Sequence, residues 1–416
     1  HLRNCWHAVL AKPMAGKAQS VVFDQASRPF ALYLHWPFCR AKCPYCDFNS
    51  HVSNDVDTKI FGDALCTEMN HMASLMPSRP PLSSLFFGGG TPSLMPPVLV
   101  ERLIRHAEDL FSFTDNIEIT AEANPTSVEA EAMLGFQKAG VNRVSMGVQS
   151  LDDAGLKFLG REHSATDALH ALDKVNKAFD RVSIDLIYAL PDQSPKAWQA
   201  MLGQALSLGL GHLSLYQLTI EAGTVFHTRQ RRGEVMALDD DRAADIYEMT
   251  QQMTHAAGLP AYEISNHAAP GQECRHNLNY WQAGDWLGVG PGAHGRFALL
   301  DPTKNLATRN ATVTRRSPVG WLDVVASKGH GIEEAQIDSP ADWASEMVMM
   351  GLRLTDGINL GVIENLCGPC DDWLDGDGVE RAIAAGWLRR MPNQSRLMAS
   401  DDGRLRLNHI LSTILR

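Results

Sequence analysis

The chain has no stretch of about 18 uninterrupted apolar residues, so no membrane-spanning helix is expected, and only peripheral contact with a membrane stays open. It has no excess of positive charge: 37 Lys and Arg stand against 48 Asp and Glu, a net charge of −11. A nucleic-acid partner is therefore not expected, because phosphate binding needs a basic face to displace counterions. Cysteine is sparse, with eight in 416 residues, too few for a disulfide-stapled secreted fold. The first 30 residues carry Arg3, Lys12 and Lys17 but no continuous apolar segment, so no secretory leader is read there. Residues 1–29 are set apart as an N-terminal extension, with Met14 a candidate natural start.

What is present is an ordinary globular composition, 44% apolar and 20% charged, in a chain long enough for two or three domains. Short β-branched and aromatic runs alternate with longer helical patterns. The strand candidates are 31–36, 84–88, 117–123, 143–148, 181–188 and 212–220, all continuous apolar runs of the kind buried on both faces of a sheet. Between them, Thr126 with Glu129 has capping-box spacing, Gly140 offers a helix stop, and Ser194-Pro195 a helix start. Residues 55–76 repeat apolar side chains at helical spacing. Six such repeats predict an α/β architecture over residues 30–300: an incomplete, TIM-like (β/α)6 barrel with an open side. From 301 to 416 the pattern changes to a small α+β, winged-helix-like domain. Ser339-Pro340 opens a helix there, 386–388 and 395–399 flank a turn, and a helix closes the chain.

Three of the cysteines, Cys39, Cys43 and Cys46, form a C-x3-C-x2-C run directly after the first strand. Three thiolates can wrap one [4Fe–4S] cluster and leave its fourth iron open for a reacting ligand. Spacing alone also admits a structural zinc site completed by His35 or His51. Other polar features fall at strand ends, where a barrel places its chemistry: Gly88-Gly89-Gly90-Thr91-Pro92, then Glu122, Gln149, Asp185 and Thr219. Cys367-Gly-Pro-Cys370 has a thioredoxin-like spacing without the βαβ setting that redox function needs, and reads as an incidental loop. Cys66 reads as inert, Asp239 to Asp241 as a helix start, and Arg229, Arg231 and Arg232 as solvated surface.

The segments Leu32 to Cys39 and Cys46-Asp47-Phe48-Asn49-Ser50 look like a radical-SAM signature, SAM being S-adenosylmethionine. Together with Phe87 to Ser93, Ser145 to Ser150 and Ile184 to Tyr188, they resemble the oxygen-independent coproporphyrinogen III oxidase family from about residue 31 onward. The resemblance implies a [4Fe–4S] cluster on Cys39, Cys43 and Cys46, with SAM chelated to its open iron. It carries Tyr33, Gly89 and Glu122 over as SAM contacts. Tyr45, Gly90, Thr91, Gln149, Arg161, Asp185 and Thr219 match positions serving a second SAM or nearby ligand in the dehydrogenase branch. That branch also has a further cysteine two residues after the third ligand, where this chain has Phe48. Moreover His276-Asn277-Leu278-Asn279-Tyr280-Trp281 resembles a motif of the heme chaperone branch. The resemblance thus implies a cytoplasmic heme chaperone that takes an electron donor, a heme donor or a heme-receiving apo-cytochrome as partners. Its candidate heme residues are His276, Cys274, Tyr280 and Trp281. The alternative is oxidative decarboxylation of coproporphyrinogen III, and whether SAM is cleaved stays open.

Overall fold

The computed structural model describes residues 28–416 except Asn54, Pro77, 302–305 and 392–394. The extension up to residue 27, with Cys5 and Met14, lies outside the described residues.

Six strands occur where the apolar runs predict them: β1 (Phe30–Trp36), β2 (Leu82–Gly89), β3 (Phe113–Ala123), β4 (Arg143–Gln149), β5 (Arg181–Tyr188) and β6 (His212–Gln217). They pair in parallel and in chain order, each neighbour connected through a helix. β1 is buried at all but one of its positions, the continuous burial that helices on the sheet's outer face produce. The helix starts fall where read, although only half of the capping box at Thr126 forms. Thr126 accepts the Glu129 N–H ahead of helix Ser127–Ala139, which ends at left-handed Gly140, while the Glu129 carboxylate accepts from Ser93 and the Asn124 N–H instead. Ser194 caps Pro195–Ser207, and Asp239 caps Asp240–Ala256.

The sheet is wider than the six runs suggest. Adding β7 (Asn266–Ala268), β8 (Asp285–Val289), β9 (His294–Asp301), β10 (Leu306–Thr314) and β11 (Ile332–Asp338) gives the order β11-β10-β9-β8-β1-β2-β3-β4-β5-β6-β7. β8 returns parallel to the free side of β1, with Tyr33 opposite Gly288, and β9 to β11 continue antiparallel. β6 stops at Gln217 rather than Ile220, leaving Thr219 exposed in the following loop.

From Ser339 the chain builds a second core around Trp343, Ile363, Trp373 and Leu397. A three-stranded sheet, in the order Ile358–Asn359, Arg396–Ala399, Leu388–Met391, lies among short helices. Its union with the main sheet is polar and buried. Glu346, on helix Pro340–Gly351, accepts Arg309 Nη2 at 2.5 Å and Arg296 Nε at 3.3 Å. The Arg309 guanidinium lies 5.6 Å from the ring centres of both Trp286 and Trp343.

A second buried carboxylate ties the far strands to the first helix, Thr58–Ser74. Glu68 accepts the N–H of Gly290 (2.7 Å), the N–H of Gly331 (2.5 Å) and Trp321 Nε1 (3.0 Å). Burial nevertheless lifts its carboxyl from 4.5 to about 7, against the pull of those three donors. An acid raised in this way stabilises the fold below its unfolded pKa and loses that contribution as pH climbs through the folded value. Thermal stability should therefore decline between pH 5 and pH 7.5. Glu68→Gln, which puts an amide where only acceptors fit, should cost about 1–3 kcal/mol and flatten that decline. Calorimetry across the interval checks both, and a wild-type curve with no such decline contradicts the assignment.

Candidate cluster and ligand site

The three cysteines ride on the loop that leaves β1. The loop doubles back so that Phe38 pairs with His51 and Cys39 with Val52. A turn closes between Cys43 and Cys46, the Cys46 N–H donating to the Cys43 carbonyl at 3.1 Å. Asn49 fastens the loop from behind, its Nδ2 donating to the carbonyls of Pro291 (2.8 Å) and Arg316 (2.9 Å).

Two donors point at the sulfurs: Thr91 Oγ1 to Cys39 Sγ at 3.4 Å and Arg161 Nη1 to Cys43 Sγ at 3.3 Å. Such contacts favour thiolate and tune a cluster's potential. Burial, and then the neighbouring cysteines, push the Cys39 and Cys46 thiols up, so loading a metal centre must release protons. Among the described residues no three His, Cys, Asp or Glu side chains gather tightly enough for a single ion. A cubane needs thiols set wider apart than one ion does. His35 is spent elsewhere, with Nδ1 on the Tyr33 hydroxyl (2.9 Å) and Nε2 on the Asn49 carbonyl (2.9 Å).

The first ligand set converges beside this loop. Gly89 ends β2 at φ +115°, a backbone region open to glycine, and its N–H donates to Glu122 Oε2 at 3.2 Å. Burial, and then the nearby Asp185 charge, raise the Glu122 carboxyl to about 8. Tyr33 is likewise held protonated by burial.

Most of the second set surrounds the same space. The Gly90 N–H donates to the Trp36 carbonyl at 2.7 Å, and a Cβ at Gly90 would meet the Phe38 carbonyl oxygen at 2.7 Å. Arg161 also donates to Asn124 Oδ1 (2.5 Å) and to the Gly147 carbonyl (2.9 Å). Gln149, at φ +69°, sits in a backbone conformation unusual for a non-glycine residue, of the kind functional sites retain. Asp185 accepts from Ser145 Oγ at 3.2 Å, and burial raises its pKa. Tyr45 leans on Phe226, ring centres 6.3 Å apart. Exposed Thr219 is the outlier.

The candidate heme residues do not share one surface. Helix Arg275–Trp281 turns His276 inward, its Nδ1 bonded to Ser84 Oγ (3.0 Å) and its Nε2 to the Tyr280 hydroxyl (2.8 Å). The ring stacks on Phe86 at 4.8 Å, and burial lowers its pKa to about 3. Cys274 donates to Glu118 Oε1 at 3.5 Å, and burial raises its thiol to about 12. Burial also pushes the Glu118 pKa up, but Arg143 and Arg181 outweigh it and hold the group ionised. Trp281, by contrast, lines a cleft of about 380 Å³ with Leu278, Met347, Ile358 and Arg396.

Sequence reasoning missed His35 and Asn124 as supports, and it missed Glu118 with its two arginines altogether. Asn124, the polar residue that follows β3, was the one legible signal among them. The Cys367 and Cys370 thiols are raised to about 12 by burial, so they are poor nucleophiles. Arg229 is paired with Glu234 at 2.7 Å.

Comparison with known proteins places this arrangement. Residues 33–205 match the radical SAM superfamily model. The mouse protein "Radical S-adenosyl methionine domain-containing protein 1, mitochondrial" is 40% identical over 80% of this chain and 75% of its own length. "Heme chaperone HemW" of Escherichia coli K12 is 36% identical over 93% of this chain and 98% of its own. A solved structure titled "Coproporphyrinogen III oxidase (HemN) from Escherichia coli is a Radical SAM enzyme" superposes with a TM-score of 0.75 over 93% of this chain and 90% of that one, at 21% identity. That likeness shows the fold. No helix among the described residues is long and apolar enough to cross a membrane. With a family model covering the first strands and relatives above 30% identity along most of its length, the chain belongs to the radical SAM superfamily, in the family that includes HemW and the mitochondrial radical SAM domain-containing proteins 1.

Proposed function

We propose that the protein is a heme chaperone that carries a [4Fe–4S] cluster and SAM, binds heme, and hands it to a respiratory apo-cytochrome. The observation that carries this reading over porphyrinogen oxidation is Phe48. It stands 57% exposed beside the cysteine loop, at the position where the oxidising branch has a further cysteine. The names of relatives matching most of the chain point the same way.

In this reading Cys39, Cys43 and Cys46 hold the cluster, with Thr91 and Arg161 donating to two of the sulfurs. When bound, the cluster's open iron supplies the anchor for SAM's amino-acid end and a route for one electron. Gly89 and Glu122 bind that end, and Tyr33 walls it. Gly90, Gln149, Asp185 and Tyr45 shape the adjoining space, whose occupant is a second SAM or the heme edge. Cys274, His276, Tyr280 and Trp281 form the heme-handling helix. His276, neutral at physiological pH, is the better iron ligand of the four once its hydrogen bond to Ser84 or Tyr280 opens. The free thiols among the described cysteines suit a reducing compartment, which we take to be the cytoplasm.

The test is anaerobic reconstitution followed by heme titration, read by absorbance, alongside a coproporphyrinogen assay. One heme per chain without turnover, with heme affinity falling about tenfold or more in His276→Ala, is the expected result. Robust conversion to protoporphyrinogen would assign the oxidase activity instead.

A further inference from the structure

The two donors that point at the cluster thiols share one anchor. Asn124, the residue that follows β3, lies between them. Its Oδ1 accepts Arg161 Nη2 at 2.5 Å, and its Nδ2 donates to Thr91 Oγ1 at 3.4 Å. Behind it stands Glu129, 3% exposed in the first turn of helix Ser127–Ala139. Glu129 Oε2 accepts the Asn124 backbone N–H at 2.7 Å and the Ser93 hydroxyl, and its Oε1 accepts Asn124 Nδ2 at 3.4 Å. In these contacts both side chains reach the sulfurs only through Thr91 and Arg161.

The chemistry of these partners fixes each direction in the network. A guanidinium only donates and a carboxylate only accepts, so the Asn124 amide turns its oxygen to Arg161 and its nitrogen to Glu129. That nitrogen also faces Thr91 Oγ1, whose hydroxyl then receives a hydrogen bond and must point its own hydrogen elsewhere. Cys39 Sγ, at 3.4 Å, is what it meets. Arg161 is held in a similar way. Its Nη2 rests on Asn124 and on the Gly147 carbonyl, and its Nη1 reaches Cys43 Sγ at 3.3 Å. Donors to cluster sulfurs favour the reduced, more negative state and so raise the potential.

We infer that Asn124, oriented by Glu129, is a positioning residue that aims both sulfur donors and thereby sets the reduction potential of the cluster. The inference rests on the proposed cluster on Cys39, Cys43 and Cys46. The step it governs is the gain of one electron by the oxidised cluster from an external reductant, with no bond formed or broken. Two effects of Glu129 on that step oppose each other. As a negative charge it makes reduction harder, and as the group that orients Asn124 it makes reduction easier. Glutamine in its place separates the two. The new amide keeps its oxygen for the Asn124 backbone N–H and the Ser93 hydroxyl, and presents its nitrogen to Asn124 Nδ2, donor against donor. Turning the Asn124 amide over relieves this clash, but its oxygen then draws the Thr91 hydroxyl away from Cys39 and its nitrogen faces Arg161. Either way a sulfur donor is loosened.

The test is a potentiometric titration of the full chain with its cluster rebuilt anaerobically and no SAM added. The reduced cluster is followed by electron paramagnetic resonance. Asn124→Leu and Glu129→Gln should each disfavour reduction about tenfold, a midpoint lower by about 59 mV for one electron. Thr91→Val should lower the midpoint too, and Asn124→Leu combined with it should shift the midpoint by less than the sum of the separate shifts. If iron analysis shows that Asn124→Leu holds no cluster, Glu129→Gln decides. A midpoint that rises in Glu129→Gln would mean that its charge acts only through space, and would overturn the inference. Unchanged midpoints in both variants, or additive shifts in the double variant, would do the same. A wild-type protein with no reducible cluster after rebuilding would bring down the cluster reading, and this inference with it.

Discussion

Replacing Glu346 with alanine should destabilise the protein by about 3–5 kcal/mol, the usual cost of stranding a buried charge. Arg309 is fully buried and Arg296 nearly so, and Glu346 bonds both. Without it, the buried Arg309 guanidinium is left with Asp338, 4.0 Å from its Nε, and the Asp285 charge to balance it. The stacking of Arg309 between Trp286 and Trp343 deepens the loss, because those rings hold the cation in place and keep water out. Glu346→Gln keeps an acceptor and should lose less. A urea midpoint measured on all three proteins reads the difference. A change under about 1 kcal/mol in the alanine variant would mean that the cluster of charges is hydrated in solution.

The second large effect concerns SAM and pH. With the site empty, Glu122 carries its proton up to about pH 8, because burial and then Asp185 oppose its ionisation. SAM's amino group, a hydrogen-bond donor at the end Glu122 binds, favours the carboxylate, and the sulfonium charge adds to this, so binding near neutrality must expel a proton. Affinity should climb by up to about tenfold per pH unit between pH 6 and 8 and level off above that. Glu122→Gln should bind about 30-fold or more weakly at pH 8, yet approach the wild type at pH 6, where the native side chain is itself neutral. Calorimetric titrations at three pH values test this. An equal deficit at every pH would reduce Glu122 to a shape-filling role. The same sign applies to folding: the empty protein loses the stability lent by neutral Glu122 as pH rises through 8, and SAM restores it.

The parts of the site legible in the sequence were those set by neighbours along the chain. The cysteine spacing, the glycine run after β2 and the strand-end acids depend on local order, and all but Thr219 gather where the strands end. Thr219 was misplaced because the apolar run 212–220 hides the point at which β6 stops. β8 was overlooked as a strand since it is only five residues long and contains Gly288. Nothing in the sequence shows that it slots beside β1. Glu68 and Asn49 were illegible for the same reason at longer range: their partners are more than 200 residues away, and the sheet's register alone brings them together. Helix Arg275–Trp281 shows the remaining limit. Its polar and aromatic residues spread around both faces, so the sequence could not tell that His276 is buried against Ser84 and Phe86 while Trp281 lines a cleft.

The grip of Asn49 on the Pro291 and Arg316 carbonyls has a consequence for dissecting this protein. A fragment ending near residue 300 would contain all three cysteines and six parallel strands, yet it would lack Arg316, and Glu68 would have no Gly331 to hold. The smallest portable unit able to keep the cysteine loop in shape therefore reaches to β11. Grafting or evolving the metal-binding segment alone would leave behind the scaffold that folds it.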